Sequence, residues 1–251
     1  MPALAPAHAE DLERRAVRAE LLAILFGPAS EGALALAREL SAVAAEAPGA
    51  QLELLQLAAL LAQLDVPTWD SHRVQLFSVG TSVDCPAFET AYFAAEAHRQ
   101  SHRMADLAGL YRAFGVVPAP SSGRPDDLPV ELEFLAFMLR KEAFAVIHGG
   151  APRVAQVQKG LRILLRDHLG RWVPLLAGRL QQRAAGTFFG PAARLLQEVV
   201  DDEAARLGID AIEPAPGFDP AAWETPRSHG PELGVSSFVS LDQLVTGEVA
   251  P

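Results

Sequence analysis

Apolar residues recur every three or four positions through most of the first 208 residues, and no stretch among them alternates convincingly between apolar and polar side chains. A spacing of three or four is the period of one helix face, whereas alternation is the period of a half-buried strand. Glycine and proline divide the apolar runs into segments of helix length. The pattern therefore predicts an all-α fold, a single-domain multi-helix bundle over residues 1–208.

The helix boundaries follow from the residues that interrupt these runs. A first helix starts near Glu10 and ends at Gly27-Pro28, and Ser30 can cap a second helix. The predicted helices cover residues 10–26, 30–47, 52–64, 86–114, 128–147, 154–183 with a kink at Pro174, and 191–207 before Gly208; a short helix and a loop cover 68–83.

The helix that starts at Leu128 carries apolar residues on more than one face, which predicts burial on several sides. A loop rich in proline, glycine and serine precedes it and ends in Asp126 and Asp127. We expect this loop to be exposed. The simplest interpretation of the two aspartates is that they stabilise the positive end of the helix dipole, and a binding role is the alternative.

Residues 209–251 contain five prolines among the first 23 positions, which predicts an extended or disordered tail and not a second domain. A short docking turn is possible near its end. The apolar residues that would form it are Phe238, Leu241, Leu244 and Val245.

Composition excludes several classes of protein. Lys+Arg 21 against Asp+Glu 31 gives a net charge of −10, which repels nucleic acid and anionic lipid. The single cysteine, Cys85, cannot form an intramolecular disulfide, and the N-terminal residues lack the pattern of an export signal. The apolar run 54–64 is shorter than the ~20 residues that span a bilayer. We therefore expect a cytoplasmic protein without stable membrane insertion.

Catalytic and cofactor motifs were sought in the same way. The chain has no GxGxxG, no GxxxxGK[ST] and no GxSxG, so no cofactor and no catalytic residue is predicted. His98 and His102 lie one helical turn apart with Asp106 one turn further, which leaves a helical-bundle metalloenzyme as an alternative function. We expect His168 to form a hydrogen bond to a neighbouring helix or loop. A generic helical adaptor for another subunit is a further alternative.

Four stretches of sequence, in this order, resemble the TorD/DmsD/NarJ family of chaperones. They are CPAFETAY (85–92), MADLAGLYRAFG (104–115), RPDDLPVELEFLAFM (124–138) and LRDHLGRW (165–172). The resemblance extends over residues 19–208, and the first stretch is most similar to the branch that serves ethylbenzene dehydrogenase, dimethylsulfide dehydrogenase and selenate reductase. In the family, Pro-Asp-His is usual where this chain has Pro125, Asp126 and Asp127.

The resemblance implies a cytoplasmic chaperone, not an enzyme. It would bind the twin-arginine leader of the catalytic subunit of a molybdopterin-containing oxidoreductase, and hold that subunit from export until its cofactor is inserted. The chaperone would be a monomer or a helix-exchanged dimer. Some relatives bind guanine nucleotide near the acidic loop, but two adjacent aspartates repel phosphate.

A leader with two arginines and an apolar stretch requires carboxylates beside an apolar groove. The predicted leader-binding residues are the acidic loop with its acidic neighbours and a set of aromatic residues. They are Pro125, Asp126, Asp127, Glu89 and Glu131, with Phe88, Tyr92, Tyr111 and Phe134 lining the groove. No metal ligand is included.

Overall fold

Helices make up most of the chain in the computed structural model, which describes residues 4–46, 52–77, 85–93, 100–119, 123–218 and 238–240. The predicted all-α class is confirmed. The elements, in chain order, are α1 (Leu4–Phe26), α2 (Glu31–Ala45), α3 (Leu52–Gln63), α4 (Val66–Phe77), a 3-10 turn (Glu89–Tyr92), α5 (Gln100–Ala113), β1 (Val116–Pro118), α6 (Leu128–Phe144), a π-helical segment (Ala145–Gly149), α7 (Gly150–Ile163), a second π-helical segment (Leu164–Leu169), α8 (Gly170–Arg183), α9 (Phe189–Arg206) and β2 (Phe238–Ser240).

Helix α6 lies at the centre of the bundle and packs along the length of α1. Residues on all sides of its first turns are buried, among them Leu128, Val130, Leu132, Phe134 and Leu135. Burial of a fully apolar side chain contributes about 1.5–3 kcal/mol, so this helix is a major source of the stability of the bundle. Its predicted burial on several sides is confirmed.

Several predicted helix ends are observed. The hydroxyl oxygen of Ser30 accepts a hydrogen bond of 3.1 Å from the backbone N–H of Ala33, which caps α2. The chain turns at Gly150 with φ 72°, the last residue of the predicted His148-Gly149-Gly150 stop. It turns again at Gly208 with φ 67°, directly after α9. Glycine is favoured at both positions because side chains with a Cβ rarely adopt positive φ.

The prediction of a single long helix over residues 86–114 is wrong. Phe88 is extended, with φ −154° and ψ 144°, and only a short 3-10 turn separates it from the described end of this segment at Phe93. The backbone N–H of Glu89 donates to the carbonyl of Asp126 (2.9 Å), and the N–H of Leu128 donates to the carbonyl of Ala87 (2.9 Å). These hydrogen bonds to a distant loop satisfy backbone N–H and carbonyl groups that would otherwise find their partners within a helix.

The helix predicted over residues 154–183 is interrupted ahead of its proline. Pro174 lies inside α8, whereas the irregularity is the π-helical segment Leu164–Leu169. There the N–H of Gly170 donates to the carbonyl of Leu165, five residues earlier. A Cβ on residue 170 would lie 2.5 Å from that carbonyl oxygen, so the segment requires glycine at its end.

The sequence pattern predicted no strand in the first 208 residues, but Val116–Pro118 form strand β1 of a two-stranded antiparallel ribbon. Strand β1 pairs with β2 so that Val116 is opposite Ser240 and Pro118 is opposite Phe238. Residues 238–240 thus form a strand and not the expected docking turn, of which Leu241, Leu244 and Val245 lie outside the described residues.

Residues 209–218 are extended and lie against the bundle. The N–H of Ala215 donates to the carbonyl of Arg171 (2.8 Å), and the N–H of Gly217 donates to the carbonyl of Tyr92 (3.1 Å). Phe218 is buried. The first part of the predicted extended tail therefore packs on the helices. The division of the chain into residues 1–208 and 209–251 stays a prediction.

Candidate functional site

Asp126 is a buried acid that accepts hydrogen bonds from Arg124 and Thr90 of the same chain. Its Oδ1 accepts a hydrogen bond of 2.7 Å from Nε of Arg124, and its Oδ2 accepts one of 2.9 Å from the same guanidinium. Oδ2 also accepts from the backbone N–H (3.1 Å) and the hydroxyl (2.7 Å) of Thr90. Asp126 has no exposed surface. The expectation that this part of the loop is exposed is therefore wrong, because Asp126 ties the loop to the 3-10 turn.

Asp127 differs from its neighbour because part of it is exposed. It occupies the N-cap position of α6, without a capping hydrogen bond from its side chain. Its Oδ2 instead accepts a hydrogen bond of 3.0 Å from the backbone N–H of Arg124. The carbonyl of Pro125, between these residues, accepts a hydrogen bond of 2.8 Å from the hydroxyl of Tyr111.

Glu89 joins three elements of the structure. Its Oε1 lies 3.0 Å from Nη1 of Arg103 on α5, and its Oε2 lies 2.9 Å from Nδ1 of His168 in the second π-helical segment. Glu89 is completely buried, and His168 is almost so. The prediction that His168 forms a hydrogen bond to another element is confirmed. Buried charges in proteins require such partners, so these contacts are structural.

Glu131 lies close to the other acids and is buried without a hydrogen bond to any described residue. Among the described residues, the hydroxyl of Tyr92 and the indole N–H of Trp172 also lack a hydrogen-bond partner. Burial raises the pKa of Glu131 well above its usual range, and the charge of Glu89 raises it further. The indole of Trp172 lowers the pKa of Glu131, although its N–H does not meet the geometry of a hydrogen bond to the carboxyl. Burial thus favours the protonated carboxyl of Glu131 relative to that of an exposed glutamate.

The predicted apolar groove is not at the surface. Phe88, Tyr92, Tyr111 and Phe134 are all buried in the core. The rings of Tyr111 and Phe134 lie 4.6 Å apart, and those of Tyr92 and Trp172 lie 5.4 Å apart. These aromatic residues pack with one another and with the helices, so they do not line an open groove as expected. Their part in leader binding stays a prediction.

A cleft of about 590 Å³ lies beside the two partners of Glu89. Two residues of the buried network, Arg103 and His168, also line the cleft. Its lining consists of His102, Arg103 and Asp106 from α5, Ile163 from α7, Asp167 and His168 from the π-helical segment, and Arg171 from α8. Two of the four motif stretches, 104–115 and 165–172, thus supply residues to this one cleft.

The cleft has charges of both signs. His102 and Asp106 are exposed at its rim. Asp167 is half-buried, and the hydrogen bonds from the Arg166 guanidinium (2.7 and 2.8 Å) keep the pKa of its carboxyl below the usual range. Arg171 donates to the carbonyl of Glu213 (2.8 Å), which holds its guanidinium beside residues 209–218. Such a surface can bind a peptide that carries charged side chains and carbonyl oxygens.

The metal-site alternative names His98, His102 and Asp106. His98 lies outside the described residues, while His102 and Asp106 lie on the rim of the cleft. Within the described ranges, no group of three or more His, Cys, Asp or Glu side chains is arranged to hold a metal ion.

The sequence analysis did not identify Thr90, Arg103 or Arg124 as parts of the site. Arg124 stands two residues before Asp126, a separation that allows a local ion pair, so its role could have been inferred. Arg103 and Thr90 meet their partners only across the fold. No local spacing indicates these contacts.

A search against protein families places these residues in a known group. Residues 43–178 match the family model described as nitrate reductase delta subunit, and this range contains the whole of the cleft and the buried acids. The chain belongs to this family. None of the helices in the described part of the chain has the length and apolar character needed to cross a membrane.

Relatives of known description support the assignment to this family. The chain is 30% identical over 130 residues to a perchlorate reductase assembly chaperone protein from Dechloromonas aromatica (strain RCB), an alignment that covers 50% of this chain and 57% of the relative. The chain therefore matches just over half the length of this curated relative. A crystal structure of a protein described as a redox enzyme maturation protein, from Archaeoglobus fulgidus, has the same fold, with a TM-score of 0.51, 20% identity, and coverage of 74% of this chain and 93% of that one.

Proposed function

We propose that the chain is a cytoplasmic assembly chaperone without catalytic activity. Its client is the catalytic subunit of a molybdopterin-containing oxidoreductase, which it binds by the twin-arginine leader before cofactor insertion and export. Membership of the nitrate reductase delta subunit family supports this proposal, as does similarity to a protein described as an assembly chaperone. The CPAFETAY stretch favours a client of the ethylbenzene dehydrogenase, dimethylsulfide dehydrogenase or selenate reductase type.

The observation that carries the leader-binding proposal is the cleft lined by the partners of Glu89. Asp106 is exposed at its rim and Asp167 is half-buried in its wall. A guanidinium group binds carboxylates through short, charge-assisted hydrogen bonds, so these two acids suit the arginines of a leader. Ile163 adds apolar surface to the same cleft.

The buried acids have a different role in this proposal. Asp126 and Glu89 have no exposed surface and pair with Arg124 and Arg103 of the same chain. Asp167 also pairs with an arginine of the chain, Arg166, but its side chain is 44% exposed. Glu89 holds the floor of the cleft in place, since its partners Arg103 and His168 also line the cleft. Asp126 ties the loop before α6 to the 3-10 turn. Pro125 and Asp127 keep part of their surface exposed, so these two predicted loop residues stay accessible to a bound peptide.

Calorimetric titration of a synthetic twin-arginine leader tests the site. We expect Asp106→Asn/Asp167→Asn to lower the affinity about ten- to a hundredfold, because a hydrogen bond to a charged group contributes roughly 1.5–3 kcal/mol. Asp70→Asn/Asp202→Asn, which removes two exposed acids from α4 and α9, is the matched control. It should bind within about twofold of wild type. If the cleft variant and the control bind the leader with equal affinity, the cleft is not the leader-binding site.

Co-purification tests the client independently of the site. A tagged chain recovered from its native cells should carry the precursor of a molybdopterin enzyme with its leader uncleaved. Recovery of a different subunit alone would favour a generic helical adaptor. Metal analysis of untagged protein addresses the alternative with His98, His102 and Asp106, because a stoichiometric transition metal would favour that function.

A further inference from the structure

A second depression in the surface lies at the C-terminal end of α6, away from the cleft. It has a volume of about 360 Å³. Its lining residues are Ala113, Phe114, Lys141, Phe144, Ala145, Arg153, Gln156 and Val157. Phe144 is 61% exposed and Ile147 beside it is 45% exposed, so large apolar side chains face solvent here. Lys141 and Arg153 make the edge of this groove positively charged.

Strand β2 leads the chain to this groove. Because β1 and β2 are antiparallel and Ser240 is opposite Val116, the direction of β2 at Ser240 is toward Gly115 and Phe114. Phe114 lines the groove, and its carbonyl accepts a hydrogen bond of 3.3 Å from Nζ of Lys141. At ~3.3 Å per extended residue, two or three residues are enough to reach it.

The chemistry of residues 241–251 complements that of the groove. These residues, LDQLVTGEVAP, lie outside the described part of the chain. They contain Leu241, Leu244 and Val245, together with Asp242 and Glu248, and neither lysine nor arginine. An acidic, apolar segment therefore follows directly on a strand that ends beside a basic, apolar groove.

We propose that this groove is the docking site of residues 241–251 of the same chain. The apolar residues of the segment cover Phe144, and its two acids face Lys141 and Arg153. The tether through β2 gives the segment an effective concentration of about millimolar, so a weak contact is enough for occupancy. This interaction is independent of the leader-binding proposal, because it uses neither the cleft nor the buried acids.

Photo-cross-linking in the full chain tests which segment occupies the groove. With p-benzoylphenylalanine in place of Phe144, irradiation should join α6 to a peptide from residues 241–251. The same group in place of Leu52, which is 62% exposed on α3, should give no such product. The absence of a product with residues 241–251 from position 144 would overturn the proposal. So would a product formed only between isotopically labelled and unlabelled chains, because a second copy would then supply the segment.

Added peptide gives a second measurement on the full-length protein. Leu244→Ser/Val245→Ser should vacate the groove, so this variant should bind a synthetic 241–251 peptide at least about tenfold more tightly than wild type does. Lys141→Gln in that background should weaken binding about threefold, and Lys159→Gln, an exposed lysine of α7 outside the groove, should not. Equal binding of the peptide to wild type and the double variant would contradict the proposal. Leader peptide that cross-links to position 144 while the 241–251 peptide fails to displace it would assign the groove to the client instead.

Discussion

At the scale of single residues, Glu131 is the most unusual group in the protein. Its carboxyl is buried close to Glu89, Asp126 and Asp127 and has no hydrogen-bond partner among the described residues. Burial, followed by the repulsion of Glu89, raises its pKa in the folded protein. In the unfolded chain its pKa returns to about 4.3. The folded state thus retains a proton that the unfolded state releases.

This difference predicts a pH dependence of stability. The contribution of Glu131 is most favourable below the unfolded pKa of about 4.3 and decreases as the pH rises toward the raised folded pKa. The side chain of the Glu131→Gln variant cannot ionise. We therefore expect its free energy of unfolding to increase relative to that of wild type as the pH rises from 5 to 8. Urea denaturation of both proteins across this range provides the measurement. A constant difference between them would show that Glu131 does not titrate on unfolding.

Asp126 and Asp127 are adjacent in sequence but should respond differently to the same substitution. Asp126→Asn leaves the Arg124 guanidinium without its buried carboxylate, which we expect to cost about 3 kcal/mol, the lower end for a broken buried pair because Arg124 is partly exposed. Asp127→Asn keeps a side-chain acceptor for the backbone N–H of Arg124 and should cost at most about 1 kcal/mol. Thermal and urea denaturation of the two single variants would show this order, and similar losses would argue against the structural role of Asp126.

At the scale of elements, the π-helical segment Leu164–Leu169 positions part of the cleft. It places Asp167 and His168 in the lining of the cleft, and it ends before Gly170. There, Ile212 of the extended segment 209–218 lies so close that a Cβ would be 2.5 Å from its Cδ1. The absence of a side chain at residue 170 therefore allows both the π turn and the packing of the extended segment.

Gly170→Ala should disturb both of these features. We expect a loss of roughly 1–3 kcal/mol, the usual range for overpacking, and faster hydrogen exchange at Ala215 and Gly217, whose N–H groups bond to the bundle. Gly178→Ala on the same helix is the matched control, since nothing lies within 4 Å of the added Cβ. It should stabilise the protein by about 0.5–1 kcal/mol through helix propensity. If both variants behave alike, close packing at Gly170 is not important.

At the scale of the whole molecule, the net charge of −10 attracts cationic segments. On the proposed function, the leader contributes two arginines to an acidic protein. Part of the cleft is open to solvent, so its ion pairs are screened by salt over about 8–10 Å near physiological ionic strength.

We therefore expect the affinity for a twin-arginine leader to decrease steadily as the NaCl concentration is raised. Calorimetric titration at a series of salt concentrations measures the slope. A leader with glutamine in place of both arginines is the control, and its weaker binding should change little with salt. The same slope for both peptides would mean that the arginines are not the groups attracted.

The amino-acid sequence by itself determined the features that depend on neighbours within a few turns. The apolar residues around α6 required burial on several sides, Ser30 supplied a cap, and Gly208 allowed a helix to end. Each of these depends on side-chain spacing, on one local hydrogen bond or on one backbone angle. The all-α class follows from them.

Only the tertiary structure decided how distant parts of the chain meet. The residues around Phe88 have a helix-compatible sequence, yet their backbone pairs with the loop before α6, almost 40 residues away. Asp126 and Asp127 are identical side chains in one loop, but Thr90 and Arg124 surround the first and leave the second partly exposed. The aromatic residues predicted to line the groove are buried in the core because the helices pack around them. Burial and partnership depend on which surfaces the helices bring together, and no local pattern contains that information.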